Sequence, residues 1–248
     1  MISYQLYSSR NYGPLPNTLR MLSAEGYGAV EGFGGLYDDP EALRALLDDH
    51  DMAMPTGHMG LAAMEDAAKA ARVARTLGIE TLYMPAPPEA LREQDAKGWE
   101  AFGDRLGALR RRLEDEGVRA GYHNHHWEFA DIGIAERPMD LILQRSGMDW
   151  EMDVAWVVRG GADPMAWIDR HGGRIAAAHV KDIAPEGDKA DEDGWADPGT
   201  GTMDWDALSE ALRGAGARHF VMEHDNPSDD LRFARRAMAA GRALDLAR

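Results

Sequence analysis

Gly117-Val-Arg-Ala-Gly-Tyr-His-Asn-His125 follows a long helical stretch and finishes on two imidazoles. Gly117 ends the helix expected over Arg92–Glu116, and Val118 to His123 reads as a strand. His126-Trp-Glu-Phe129 follows at once, so three histidines fall within four positions. Buried imidazoles need partners for their polar nitrogens. A run like this is therefore either a solvated loop or the wall of a site.

The same strand-then-helix unit recurs on both sides of it. Strands are expected at Ile2–Tyr7, Tyr27–Glu31, Met52–Thr56 and Ile79–Met84 before it, and at Asp149–Val154, Ile175–Val180 and His219–Met222 after it. Helices are expected at Pro14–Glu25, Asp39–His50, Leu61–Leu77, Pro138–Arg145, from Asp163 to Gly172, Asp204–Leu212 and Ser228–Leu246. Asp39-Pro40 and Asp163-Pro164 each supply a capping side chain followed by proline at the first helical position. Asp182 to Gly201, rich in Asp, Gly and Pro, is the longest loop. Strict alternation argues for a parallel sheet covered by helices. Eight units in 248 residues favour closure into a (β/α)8 TIM barrel, a single α/β domain over residues 1–248.

Composition narrows the partners. With 27 basic against 43 acidic residues the net charge is −16, a field that repels phosphate backbones. Nucleic acid is excluded on that ground. Cysteine is absent, so there is neither a disulfide framework nor thiolate chemistry. No apolar run reaches the ~18 residues that span a bilayer, and Met1-Ile-Ser-Tyr-Gln-Leu6 does not read as a signal peptide. A cytoplasmic protein with no membrane partner is expected, with a homodimer as the default assembly. Gly32-Phe-Gly-Gly35 lacks the third glycine of a dinucleotide fingerprint.

In such barrels the active site lies at the carboxyl ends of the strands. Six of the eight strands end on Glu31, His58, His123, Asp153, His179 with Lys181, and Glu223 with His224. Scattered surface charge would not select strand ends this consistently. A mixed carboxylate and imidazole set suits Mn²⁺, Mg²⁺, Co²⁺ or Zn²⁺. Such an ion stabilises a developing enolate while Glu or His moves the proton. Trp127, Trp156 and Trp195 offer faces on which a sugar ring can stack, or simply pack the rim.

Val30-Glu31 after Gly26-Tyr-Gly28, Gly57-His58, His179-Val-Lys-Asp182, Gly199-Thr-Gly-Thr-Met-Asp-Trp205 and Glu223-His-Asp-Asn-Pro227 stand in an order that resembles the sugar phosphate isomerase/epimerase family of xylose isomerase-like barrels. The likeness covers nearly the whole chain. It implies a divalent metal held by Asp153, His179 and Glu223. Many members carry a metal-binding glutamate on the fifth strand where this chain has His123. The run resembles instead a Tyr-His-Asn-His branch, with His123 as fourth ligand. Glu223, Glu128, His125 and His58 are expected as proton carriers, and Glu31, Asn124, Trp127, Trp156 and Lys181 as contacts for a small-molecule sugar. The resemblance implies an isomerase or epimerase acting on a sugar or keto-sugar. A lyase or dehydratase acting on a keto-inositol or 3-keto-glycoside is the alternative, and a non-catalytic sugar-binding protein a third.

Overall fold

The computed structural model describes residues 1–247. The strands are β1 (Ile2–Gln5), β2 (Ala29–Gly32), β3 (Ala53–His58), β4 (Thr81–Met84), β5 (Arg119–His123), β6 (Asp149–Asp153), β7 (Ile175–Val180), β8 (Asp182–Ile183), β9 (Trp195–Ala196) and β10 (His219–Met222). The first seven and β10 close a parallel barrel, in which β1 pairs with both β2 and β10. The TIM barrel read from the sequence is the fold observed.

Among the described residues, ten α-helices accompany the strands: α1 (Leu15–Glu25), α2 (Pro40–Asp48), α3 (Leu61–Met64), α4 (Ala67–Leu77), α5 (Ala96–Asp115), α6 (Pro138–Ser146), α7 (Val154–Arg159), α8 (Pro164–His171), α9 (Trp205–Ala215) and α10 (Asp230–Ala243). Aspartate starts many of them. Asp39, Asp95, Asp163, Asp204 and Asp229 each accept a first-turn backbone N–H. Gly78 ends α4 at φ 77°, a left-handed conformation that costs a side chain energy. Among the described residues no helix is long and apolar enough to cross a membrane.

Several boundaries differ from the sequence reading, among them the start of α5 at Ala96 where a helix was expected from Arg92, and three have a clear local reason. The helix expected over Leu61–Leu77 is broken between α3 and α4, because Asp66 caps a new helix by accepting from Lys69 N. The first strand stops at Gln5, whose side-chain oxygen accepts from Tyr7 N and opens a 3-10 turn. Asp153 ends β6 and caps α7, where extended chain was expected through Val154. The long loop is also ordered. Asp182 accepts from the backbone N–H groups of Ile183, Gly199, Gly201 and Met203, folding the antiparallel pair β8 and β9 beside the barrel mouth.

Alternation along each strand sorts the side chains. On β6, Trp150 packs edge-on against Trp167 of α8, facing the helices, so Glu151 and Asp153 point the opposite way, into the barrel. Register sets Glu151 beside His123 of β5 and Asp153 beside His179 of β7. Tyr83 fills the interior next to Gly121, where an added Cβ would come within 2.2 Å of the ring. Glycine there is a packing requirement.

Candidate metal centre

Barrel interiors of this architecture are usually filled by branched apolar side chains. Here the upper interior is polar: Gln5, Glu31, His58, His123, Glu151, Asp153, His179 and Glu223 are all buried. The register of β5, β6, β7 and β10 gathers four of them. One donor atom each from His123, Asp153, His179 and Glu223 lies within 4.8 Å of the others. This is the ligand set that the family resemblance implied, now gathered at one point. A second group, His58, His123, Glu151 and His179, satisfies the same distance and lies against the first.

His179 joins the two groups. Its Nδ1 stands 2.8 Å from Glu223 Oε2, and its Nε2 stands 2.8 Å from Glu31 Oε1 and 3.2 Å from Glu151 Oε2. His58 Nε2 is 2.5 Å from Glu151 Oε2 and 3.2 Å from Glu31 Oε1. Gln5 Nε2 donates to Glu31 Oε1 at 2.8 Å. Carboxylates behind a ligating imidazole fix its tautomer and orientation, and Glu31 and Glu151 stand where that support is needed.

The residues fit a divalent cation. Five carboxylates, Glu31, Glu151, Asp153, Glu223 and Asp225, crowd around Lys181 and the imidazoles. Fully buried Glu31 Oε2 and Glu151 Oε1 find no hydrogen-bond partner. Such atoms call for an ion or water. The N and O donor set suits the borderline and hard divalent ions and offers nothing to thiolate-preferring ones.

Charge is distributed unevenly across the imidazoles. Burial pushes His123 down to about 3, helped by the charge of His179, so it stays neutral as a ligand must. His125 is held well below the usual imidazole range by burial, then by His123 and Lys181. His58 moves the other way: burial opposes its charge, but the carboxylates of Glu31 and Glu151 outweigh that and raise it. Burial raises Asp153 to about 6 despite the pull of Lys181. For Glu223 the order reverses, since Lys181 and His179 outweigh burial and hold it well below the carboxylate range.

A cavity of about 610 Å³ opens above the cluster. His58, His123, His125 and Glu223 form its floor, Trp156 and Trp195 one wall. Of the side chains expected to contact a sugar, Trp156 lines this cavity and the others sit behind it. Asn124 is occupied as a strand latch: its Oδ1 accepts from Trp150 Nε1 and Asp153 N, and its Nδ2 donates to Asp153 O. Trp127 stacks on His125 at 4.9 Å and is covered by the Arg92 guanidinium. Lys181 is fully buried, paired with Asp153, Glu223 and Asp225 at 2.9–3.0 Å. Glu31 lies beneath His58 and His179. Glu128, expected as a proton carrier, also stays out of the cavity. Its carboxyl accepts from Tyr122 Oη at 2.6 Å and His125 N at 3.0 Å, so it shapes the loop that presents His125.

Residues 19–244 match the family model described as xylose isomerase-like TIM barrel. The chain belongs to the xylose isomerase-like TIM barrel family. Within the family's reach, the rhizopine catabolism protein MocC of Rhizobium meliloti is 30% identical over 137 residues, covering 50% of this chain and 42% of that protein. The inosose dehydratase of Clostridium beijerinckii is 30% identical over 91 residues, covering 34% of this chain and 28% of that enzyme. The matches thus span less than half the length of these relatives. Among solved structures, a sugar phosphate isomerase/epimerase from Parabacteroides distasonis superposes with a TM-score of 0.81 at 20% identity, over 100% of this chain and 95% of its own.

Two members of this xylose isomerase-like cluster escaped the sequence reading. Glu151 sits within Trp150-Glu-Met-Asp153, and its signal was the two-residue spacing to Asp153, which puts both on one strand face. Asp225 follows the barrel's last strand by three positions and pairs with Lys181, a contact that no spacing rule reveals.

Proposed function

We propose that this chain is a divalent-metal-dependent isomerase or epimerase of a keto-sugar, acting by removal and return of a proton beside the carbonyl. The observation that carries this reading is the His123–Asp153–His179–Glu223 donor set, of which His123 and Glu223 reach the floor of a cavity that His58 and His125 also line. A divalent ion held there supplies Lewis acidity toward the carbonyl and adjacent hydroxyl oxygens of a sugar. The chain's own groups handle the proton. His125, which lines the cavity, is suited to take it, and His58, whose hold on a proton is strengthened by Glu31 and Glu151, is suited to give it back or to protonate an oxygen. Trp156 offers a face for the sugar ring, and a homodimer remains the expected assembly.

A lyase acting on a keto-inositol or 3-keto-glycoside is the second reading. The 30% identity over 91 residues with an inosose dehydratase favours it, as does His58 at the cavity, which when protonated can donate to a departing oxygen. Both begin with the same proton abstraction. A sugar-binding protein without chemistry has no use for a proton acceptor and a proton donor on one cavity floor. Incubating the metal-loaded protein with aldoses, ketoses, keto-inositols and keto-glycosides in deuterated water tests all three. Deuterium at the carbon beside the carbonyl, lost in His125→Phe, supports the isomerase or epimerase. Loss of a β-substituent selects the lyase, and no exchange with any of them leaves binding alone.

A further inference from the structure

Two guanidinium groups line the cavity above its floor: Arg10, just past the 3-10 turn that follows β1, and Arg159, the last residue of α7. Both are pinned. Arg10 lies on the Tyr7 ring at 3.8 Å, and its Nη1 donates to Tyr7 O at 2.9 Å and to Asp225 O at 2.7 Å. Arg159 lies over the Trp195 ring, and its Nη2 donates to Asp193 O at 2.6 Å. Every one of these acceptors is a backbone carbonyl. Among the described residues, no carboxylate forms an ion pair with either guanidinium. Nε and Nη2 of Arg10, and Nε and Nη1 of Arg159, are left without a protein partner.

The acids of the same wall do not fill that role. Asp225 turns its Oδ2 to Lys181 Nζ at 2.9 Å and gives Arg10 only its backbone oxygen. Asp193 likewise meets Arg159 only through its carbonyl. Nearby Arg232 shows the opposite arrangement, paired with Glu192 at 2.7 Å and Asp197 at 3.0 Å. With 43 acidic residues and a net charge of −16, the chain is not short of carboxylates. Burial holds Arg159 below the ordinary guanidinium range, outweighing Asp225, Asp153 and Asp193, which act on it from a distance. A half-buried cation is therefore left undercompensated.

A guanidinium edge matches a planar carboxylate in two parallel hydrogen bonds. Stacking on Tyr7 and Trp195 fixes the two planes beforehand, so little side-chain freedom is lost on binding. A sugar hydroxyl could accept from the same N–H groups, but it would leave the charge unanswered. A phosphate would set about two negative charges against Asp193, Asp225 and the field of the whole chain. One carboxylate satisfies the donors and the charge together.

We propose that Arg10 and Arg159 receive a carboxylate carried by the substrate, so that the sugar on the floor is a keto-sugar acid and not a neutral sugar. The inference rests on the keto-sugar reading for what occupies the floor, and adds the group at its outer end. The cavity of about 610 Å³ has room for a ring at His58, His125 and Glu223 with its acid group directed outward.

The test is calorimetric titration of the metal-loaded protein with glucuronate, glucose and glucose 6-phosphate, which share one ring and differ in a single substituent. Glucuronate binds wild type at least about tenfold more tightly than glucose does. Arg159→Gln removes most of that preference, and Arg10→Gln does the same if loss of the Trp195 stack unfolds the first variant. A carboxylate drawn to the metal ion instead keeps its preference in both variants, and that result overturns the proposal. Equal affinity for glucuronate and glucose in wild type also overturns it. Tighter binding of glucose 6-phosphate than of glucuronate replaces the carboxylate by a phosphate and overturns it too. Deuterium exchange into keto-sugars with equal affinities sinks the carboxylate subsite and keeps the keto-sugar reading. A preference that the substitutions abolish, with no exchange in any sugar, does the reverse.

Discussion

Lys181 Nζ lies 3.0 Å from Asp153 Oδ2, so a fully buried ammonium rests on an oxygen of the candidate metal site. It also contacts Glu223 and Asp225 at 2.9 Å and lies 4.6 Å from the ring centre of Trp195. Removing one partner of a buried pair strands the others' charge and costs ~3–5 kcal/mol. Lys181→Met is therefore expected to lower the melting temperature of the chelator-treated protein by roughly 10 °C, at ~2–4 °C per kcal/mol for a chain of this size. The same change removes a positive charge beside the metal ligands and so tightens metal binding. Scanning calorimetry with and without chelator, and competition against a chelating dye, check the two effects. A variant that binds metal more weakly than wild type contradicts this account.

Asp153→Asn removes the anionic oxygen while keeping nearly the same shape. Bound metal, measured by mass spectrometry after dialysis, is expected to fall at least tenfold. Undiminished metal content removes Asp153 from the ligand set.

Glu151 reaches His58, His123 and His179 from below. Supports of this kind change metal affinity or activity by ~10–100-fold when lost. Glu151→Gln is expected to reduce kcat by that factor with little change in KM, and to move the alkaline limb of the pH profile to lower pH, because His58, the proton donor, loses a carboxylate that raises it. Parallel rate profiles for variant and wild type would reduce Glu151 to packing.

Burial raises Glu128 to about 7 from the ordinary carboxylate value of 4.5, against the lowering effect of the Tyr122 hydrogen bond. The folded protein thus holds a proton that the unfolded chain has already released. Stability from this group is complete below pH ~4.5 and is lost as pH rises towards 7, a change of about 3 kcal/mol. Glu128→Gln carries no such titration. Melting temperatures of the pair across pH 4.5 to 7.5 should show the wild type losing ground to the variant with rising pH. A constant difference would mean that Glu128 is ionised in the folded state.

Much of the architecture was legible because each unit carries its own punctuation. Asp39-Pro40, Asp163-Pro164, Gly78 and Gly147 mark helix ends by backbone chemistry that acts locally. The strand-end carboxylates and imidazoles were legible for the same reason, since strands of a parallel barrel deliver their last residues to one rim. Depth along the barrel axis was not. Glu31 and Glu128 share a residue type with Glu223, yet only Glu223 of the three faces the cavity. What separates them is register between strands and the path of the loop after β5, both set by contacts distant in sequence. Glu151 was hidden by its apolar neighbours Trp150 and Met152, which belong to the opposite strand face. Lys181 shows the same limit: position placed it at the rim, but three carboxylates draw it inward.

Asp153 also closes β6 and, through Oδ1, receives the N–H of Trp156 in the first turn of α7. That short helix carries Trp156 and Arg159 to the cavity wall. One carboxylate therefore belongs both to the candidate metal site and to the start of the helix that forms part of the cavity wall. A change in charge or bond length on its Oδ2 is felt by a helix start less than a residue's width away. Oδ2 and Oδ1 are two bonds apart, so an ion bound at this carboxylate would act directly on the start of the helix that shapes the cavity wall.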